Sequence, residues 1–389
     1  MKKVVLAYSG GLDTSVAIKW LKDRGYDVIA YMADIGQEKT TTAAIARAKK
    51  AGASKVVVKD LKKKFVADYI WPALKAGAVY EGRYLLATAL SRPLIAAEQV
   101  AVAHAEKATA VAHGCTGKGN DQVRFEVTVQ VLDSSLEILA PVREWEFKSR
   151  EDEIQYAQRH RIPIDVSKKS PFSIDKNIWG VSVEAGVLEN PNTEPPADSF
   201  QWTRGAESRK LKDRIIEIEF NKGIPVGLNG KKKDALRLIT ELNVLGSQYG
   251  IGRMDMIENR LVGIKSRETY EAPAATILLQ AHKDLEALVM DRELLHYKEG
   301  IAQKYAELVY YGLWFTPLRS ALDVFVESTQ GKVTGVVRTK LRKYSSQVVG
   351  RTSPYSRYQE SLATYGAKDT FDQRLSKGFI DLWALPYKK

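Results

Sequence analysis

Short unbroken apolar runs alternate with amphipathic stretches over the first third of the chain. Val4–Tyr8 is apolar at every position, the pattern of a strand buried on both faces. Asp13–Lys22 follows, and Leu12, Val16 and Trp20, four apart, predict a helix there. The alternation continues with strands predicted at Val28–Met32, Lys55–Val58, Ala108–Ala112 and Leu136–Ala140. Helices are predicted between them at Thr40–Lys50, Leu86–Ala105 and Asn120–Leu132. This rhythm predicts a parallel sheet covered by helices, with ligands at the carboxyl ends of its strands. The glycine-bearing loops Ser9–Asp13 and Gly114–Asn120 fall at those ends.

The rhythm breaks near residues 165–175. Lys168–Pro171 and the proline-rich Asn190–Asp198 read as loops. Ile215–Phe220 alternates, Asn221-Lys222-Gly223 signals a turn, and Ile224–Leu228 completes a hairpin. Helices are predicted at Asp234–Leu245, Ala272–Met290, Glu293–Tyr311 and Pro317–Thr329, and a second hairpin from Lys332–Leu341 and Gln347–Arg351. The mixed order predicts an α+β second domain over residues 169–365, after an α/β first domain over 1–168. A last helix, Asp369–Trp383, gathers Phe371, Leu375, Phe379, Ile380 and Trp383 on one face, which gives residues 366–389 the look of an oligomerisation segment.

Composition narrows this picture. A chain of 389 residues suits two or three domains and can bury a core without staples. The net charge of +12 favours anionic partners. The short runs Lys62–Lys64 and Lys231–Lys233 nevertheless fit a solvated surface, and no nucleic-acid partner is expected. The single cysteine, Cys115, excludes an intramolecular disulfide and a multi-cysteine zinc site, and it fits a cytoplasmic protein. His104, His113, His160, His282 and His296 have no zinc-binding spacing, so no resident metal is expected. The N-terminal apolar run is too short for a signal-peptide core, and Leu85–His104 is broken by Arg92, Pro93 and Glu98, so no membrane partner is expected.

The chemistry is concentrated in Ser9-Gly10-Gly11-Leu12-Asp13-Thr14-Ser15. A strand–Gly-Gly–helix turn offers free backbone N–H groups and the positive end of a helix dipole, which together bind phosphate. Ser9, Thr14 and Ser15 add hydroxyl donors. Asp13 would be repelled by a phosphate unless it caps the helix or meets Mg²⁺ carried by that phosphate. No lysine follows the glycines, which excludes a P-loop, and Gly-x-Gly-x-x-Gly is missing, so a nicotinamide cofactor is not indicated. The stretch resembles the pyrophosphate loop, or PP-loop, of the ATP pyrophosphatases, which cleave ATP between its α and β phosphates and adenylylate a carbonyl oxygen.

The lone cysteine bears on the branch. Thiolating members generally need two sulfur-carrying cysteines or a metal cluster, and glutamine-fed members need a nucleophilic cysteine in an amidase site. A branch in which an amino acid is itself the nucleophile needs neither. His113–Glu126, HGCTGKGNDQVRFE, resembles the long signature of the argininosuccinate synthase family. Ser170–Glu189, Gly250–Pro273 and Tyr310–Leu318 resemble further segments of it, so the likeness runs over nearly the whole chain. Val181 departs from it, because many relatives carry arginine there.

The resemblance implies an adenine nucleotide alpha hydrolase-like domain, an α+β synthetase domain, a C-terminal helix and a homotetramer. It implies an ATP-dependent, AMP-forming ligase acting on citrulline and aspartate in arginine biosynthesis. ATP would be held by Ala7, Tyr8, Ser9, Gly10, Gly11, Leu12, Asp13, Thr14, Ser15, Ala33 and Gly114. Aspartate would meet Thr116, Asn120 and Asp121. Citrulline would meet Tyr84, Thr88, Asn120, Arg124, Ser173, Ser182, Glu258 and Tyr270. Arg124 is a fitting bidentate partner for a carboxylate, and Glu258 for an ammonium. Asp13, Asp121 and Arg124 are the candidates for direct catalytic roles, with Asp121 expected to orient the aspartate amine and take its proton. The alternative is an ATP pyrophosphatase that adenylylates another carbonyl, such as a tRNA base.

Overall fold

The structure, a computed structural model, describes residues 1–37, 42–163 and 172–389. The chain begins β1 (Lys2–Ala7), α1 (Leu12–Asp23), β2 (Tyr26–Asp34), α2 (Thr42–Ala51) and β3 (Lys55–Asp60). Two short helices, α3 (Lys62–Phe65) and α4 (Trp71–Ala76), flank a π-helical turn at Val66–Ile70. Then come α5 (Ala87–Glu106), β4 (Ala110–Ala112), α6 (Asp121–Leu132), β5 (Glu137–Leu139), α7 (Pro141–Glu144) and α8 (Arg150–Arg159).

The first five strands form one parallel sheet in the order β3-β2-β1-β4-β5. Val4, Val5 and Leu6 of the central strand are fully buried, as a strand covered on both faces requires. Strand order reverses between β1 and β4, which pair from Val4–Ala110 to Leu6–Ala112. That reversal opens a crevice at the carboxyl ends of the strands. From α5, the buried Gln99 side chain donates to the carbonyls of Val5 (2.8 Å) and Ala112 (2.7 Å) and ties the helix to this seam. The two glycine loops leave β1 and β4 side by side at its mouth.

The rest of the chain adds two antiparallel sheets. β6 (Ser173–Lys176) and β7 (Val181–Glu184) are followed by β8 (Arg214–Asn221), β9 (Ile224–Leu228), β10 (Lys231–Lys232), α9 (Ala235–Gln248), β11 (Arg253–Asn259) and β12 (Lys265–Glu271). Helices α10 (Pro273–Val289), α11 (Arg292–Tyr310) and α12 (Pro317–Thr329) precede β13 (Gly335–Arg342) and β14 (Ser345–Thr352), and α13 (Glu360–Ala363) and α14 (Leu375–Trp383) end the chain. Both predicted hairpins form, β8 with β9 and β13 with β14, and β13 pairs with β8 to join them in the order β10-β9-β8-β13-β14. The other sheet, β11-β12-β7-β6, has no counterpart in the sequence reading.

Three expectations need adjustment. The predicted helix at Thr40–Lys50 is seen as α2 from Thr42, its first two residues lying outside the described residues. The Lys168–Pro171 loop and the expected domain boundary at 168 also lie outside them. The last helix starts at Leu375 rather than Asp369. The carboxylates of Asp369 and Asp372 accept from the backbone N–H of Phe371 (2.8 Å) and Arg374 (3.1 Å), which holds that stretch in turns. Among the described residues no helix is long and apolar enough to cross a membrane.

Candidate active site

A cleft of about 680 Å³ opens at the reversal point, between the parallel sheet and the β11-β12-β7-β6 sheet. One wall is built from the PP-loop. Gly10 sits at φ +84°, a left-handed conformation that favours glycine, and a Cβ there would meet that of Ala44 at 3.0 Å. Gly11 caps α1 without a side-chain bond, which leaves the helix end to its backbone N–H groups. Gly114, across the seam, packs so tightly that a Cβ would come within 2.8 Å of the Thr14 methyl. The two loops can therefore touch only because this residue has no side chain.

Ala7, Tyr8, Ser9, Asp13, Thr14, Ala33 and Gly114 line the cleft, whereas Gly10, Gly11, Leu12 and Ser15 do not. Ser15 is fully buried and its hydroxyl donates to the Gly11 carbonyl at 2.6 Å. Ser9 and Thr14 share a hydrogen bond of 3.1 Å. Burial pushes the Tyr8 phenol up, and its hydroxyl donates to the Ala44 carbonyl at 3.2 Å. Arg47 from α2, which the sequence reading missed, donates to the Gly10 carbonyl. Gln37 donates to the carbonyl of Ala33, the residue expected to meet adenine. Tyr31 also faces the cleft, 1% exposed and with no partner for its hydroxyl among the described residues. A buried donor left open in this way suits a ligand or a water.

The floor comes from the second glycine loop and α6. Thr116, Asn120, Asp121 and Arg124 all line it. Asp121 accepts from Arg92 Nε at 2.8 Å and from Arg124 at 2.9 Å. Burial alone would raise the Asp121 carboxyl, but the Arg92 and Arg124 guanidinium groups outweigh it and hold it below the usual range. Arg92 extends the chain to Asp175 on β6 at 2.7 Å. Arg124 is 4% exposed, and its NH2 nitrogen has no partner among the described residues. His113, also on the wall, is saturated locally: Nδ1 accepts from Cys115 N–H (3.2 Å) and Nε2 donates to Glu126 (3.0 Å). Burial, then the nearby Asp121, keeps the Cys115 thiol protonated.

The opposite wall is polar and mostly buried. Tyr84, Thr88, Ser173, Ser182, Glu258 and Tyr270 all reach it. Leu86 is held at φ +63° just ahead of α5, and this bend lets the Tyr84 hydroxyl accept from the N–H groups of Thr88 (3.1 Å) and Ala89 (3.3 Å). Tyr84 stacks on Tyr270 with centroids 4.2 Å apart, and the Thr88 and Ser182 hydroxyls share a bond of 3.2 Å. Tyr270 donates to Glu258 at 2.7 Å. Arg260 pairs with Glu184 and with Glu268 (3.0 Å). Burial, then Glu258 and Glu184, pushes Glu268 up to about 8. Val181, which departs from the family pattern, is 1% exposed in a small apolar cluster with Val183 and Leu188, so an apolar side chain is at home there.

The sequence assigns no site role to Arg92, Asp175, Glu184, Arg260 or Glu268, although all five line the cleft. Arg92 carried a signal in lying four residues after Thr88 on the same face of a helix, and the other four in lying within the family-like segments Ser170–Glu189 and Gly250–Pro273.

A Gly-Gly loop at the reversal point of a parallel sheet, closed by a second and polar sheet, defines a nucleotide-binding synthetase with a HUP-type domain. The family model described as the arginosuccinate synthase N-terminal HUP domain matches residues 3–163, and the one described as the arginosuccinate synthase C-terminal domain matches residues 172–389. The chain belongs to the argininosuccinate synthase family. It is 56% identical over 388 residues to the argininosuccinate synthase of Chlorobium phaeobacteroides strain BS1, covering 100% of this chain and 96% of that one. It is 54% identical over 388 residues to that of Carboxydothermus hydrogenoformans, covering 100% and 97%. A solved 4-thiouridine synthetase–RNA complex with bound ATP overlaps 41% of this chain and 40% of its own at 15% identity and a TM-score of 0.30, too little to add to the assignment.

Proposed function

We propose that this chain joins citrulline to aspartate at the expense of ATP, giving argininosuccinate, AMP and pyrophosphate. The observation that carries the reading is the Arg124 side chain. It is buried in the floor of a cleft that also holds the PP-loop, and one guanidinium nitrogen there has no partner among the described residues. A buried cationic donor left open is matched to a carboxylate.

In this reading the ureido oxygen of citrulline attacks the α-phosphorus of ATP. A P–O bond forms as the bond to pyrophosphate breaks. The amine of aspartate then attacks the ureido carbon and loses a proton, and AMP leaves with the ureido oxygen. The work of the protein is positioning and charge stabilisation. Residues Ala7 to Ser15, Ala33 and Gly114 would hold ATP. Mg²⁺ carried with the phosphates would screen their charge, with Asp13 the loop carboxylate placed to meet it. Thr116 and Asn120 would take aspartate, and Tyr84, Thr88, Asn120, Arg124, Ser173, Ser182, Glu258 and Tyr270 citrulline. Asp121, with both oxygens taken by arginines, would fix those cations and orient the amine rather than remove its proton.

We read the C-terminal segment as an arm that packs on a neighbouring copy in a homotetramer. No residue of α14 is buried, and Phe379, Ile380 and Trp383 are 61%, 59% and 66% exposed. Truncation after residue 365 is predicted to lower the oligomeric state seen by light scattering, and a truncated tetramer would contradict the arm. The single cysteine fits a reducing cytoplasm.

The activity is tested by measuring pyrophosphate release from ATP and Mg²⁺ with each amino acid omitted in turn. Release that needs citrulline, with argininosuccinate formed only when aspartate is added, is the expected result. No release from the complete mixture would overturn the reading and turn attention to another carbonyl, such as a tRNA base.

A further inference from the structure

Tyr310, the last residue of α11, does not line the cleft, yet it bonds to three of the residues assigned above to the amino-acid substrates and meets a fourth, Tyr84, edge to face at 6.2 Å. Its side chain is fully buried and stacks on Tyr80 with centroids 3.6 Å apart and planes 6° from parallel. Its hydroxyl donates to Glu258 at 2.7 Å and accepts from Asn120 Nδ2 at 2.8 Å. Its carbonyl accepts from Arg124 Nε at 2.9 Å, and the Arg124 guanidinium lies 4.8 Å from the ring centre.

A phenol has one proton, and this arrangement settles where it goes. A carboxylate can only accept, so the proton serves Glu258. The phenol oxygen is then left as an acceptor, and Asn120 must turn its NH2 group toward it. The Asn120 carbonyl oxygen faces the other way and accepts from the Leu261 N–H at 2.9 Å. Both ends of the Asn120 amide are thereby fixed, and among the described residues one N–H is left over on a residue that lines the cleft.

We propose that Tyr310 is a positioning residue: through one hydroxyl it orients Asn120 as a donor toward a substrate carboxylate and locks the Asn120 loop to Glu258 on the facing wall. Resting on the substrate assignments above, it makes the aspartate subsite and the citrulline subsite one hydrogen-bonded unit, while the PP-loop has no part in it. Burial, then the Glu258 carboxylate, raises the phenol, so its proton stays in place over the working pH range. Changes at Tyr310 should therefore be felt by both amino acids and not by ATP.

Tyr310→Phe keeps the ring on Tyr80 and removes only the hydroxyl. The KM values for aspartate and for citrulline are expected to rise together by about tenfold, the loss of a buried hydrogen bond, with the ATP KM within about twofold of wild type. Adding Tyr310→Phe to Asn120→Ala should raise the aspartate KM no further, because the route through Asn120 is already gone. Asn120→Asp sets a second acceptor against a phenol with one proton, and should cost at least as much as Tyr310→Phe. A crystal structure of Tyr310→Phe should find the Asn120 Nδ2 shifted from the place of the lost hydroxyl, with Oδ1 still on the Leu261 N–H. Amino-acid KM values within about twofold of wild type, full additivity with Asn120→Ala, or an unmoved Asn120 would each overturn the proposal. If wild-type protein releases no pyrophosphate with citrulline, the substrate assignment falls, and the Asn120 orientation in the variant crystal still decides whether Tyr310 sets it.

Discussion

The two walls of the cleft are made by opposite means. The PP-loop wall works through backbone: an apolar strand, Val4 to Leu6, fully buried, delivers a loop whose Gly10 takes a left-handed turn and whose Thr14 is met by Gly114 closer than a Cβ would allow. The facing wall works through side chains: strands Ser173–Lys176 and Lys265–Glu271 are largely polar, and they hold Glu268 and Tyr270 in hydrogen bonds, with the Arg260 charge paired to Glu184. Phosphate recognition by N–H groups needs shape more than identity. Telling apart amino acids with carboxylate, ammonium and ureido groups needs charges at fixed places. The first wall should fail when atoms are added to it, and the second when charges are removed.

The largest effect is expected at the junction of floor and polar wall. Arg124→Ala takes away a buried cation, leaves Asp121 with one guanidinium partner, and strips the donor from the Tyr310 carbonyl. A loss of about 10²–10³ in kcat/KM for citrulline is expected, the size seen when a preorganised charged donor is removed. Retention of the pyrophosphate assay rate within about tenfold would break the comparison.

Gly114→Ala tests the backbone wall. The added methyl meets Thr14 at 2.8 Å, so the two loops must part. The ATP KM should rise by about tenfold, the cost of overpacking by one methyl, with the citrulline KM nearly unchanged. An increase confined to citrulline would mean that the walls are not separable in this way.

A smaller effect is expected from Glu268. Its carboxyl keeps its proton up to about pH 8 in the folded chain, against about 4.3 for an ordinary glutamate. Between those values the folded chain binds a proton that the unfolded chain has lost, so stability falls as pH rises from the lower value through the higher. From pH 6 to 9 the wild-type Tm should drop by about 2 °C more than that of Glu268→Gln, which lacks the titration. Parallel Tm curves for the two proteins would remove Glu268 from the polar wall's electrostatics.

The same contrast decides what could be read in advance. The parallel sheet was legible because strands buried on both faces must be apolar throughout, and both glycine loops followed from where those strands end. The β6-β7-β11-β12 sheet was not legible, since segments such as Ser173-Ile174-Asp175-Lys176 carry no apolar alternation. Their side chains answer to the cleft rather than to a core. The residues assigned to substrates came from motif resemblance, and the structure brings the cleft-facing ones together. Arg92, Arg260 and Tyr310 escaped because an arginine or tyrosine becomes informative only once its partners are known. Thr88, unremarkable on its own, gains meaning from Ser182, which lies 94 residues away in sequence and 3.2 Å away in space.

Both walls are proposed to act on one reaction, in which a ureido oxygen is adenylylated before the amine arrives. The most direct test is to supply citrulline labelled with ¹⁸O at the ureido group, together with ATP, Mg²⁺ and aspartate, and to weigh the AMP. The account predicts that the label moves quantitatively into the phosphate of AMP. Unlabelled AMP formed alongside argininosuccinate would contradict it.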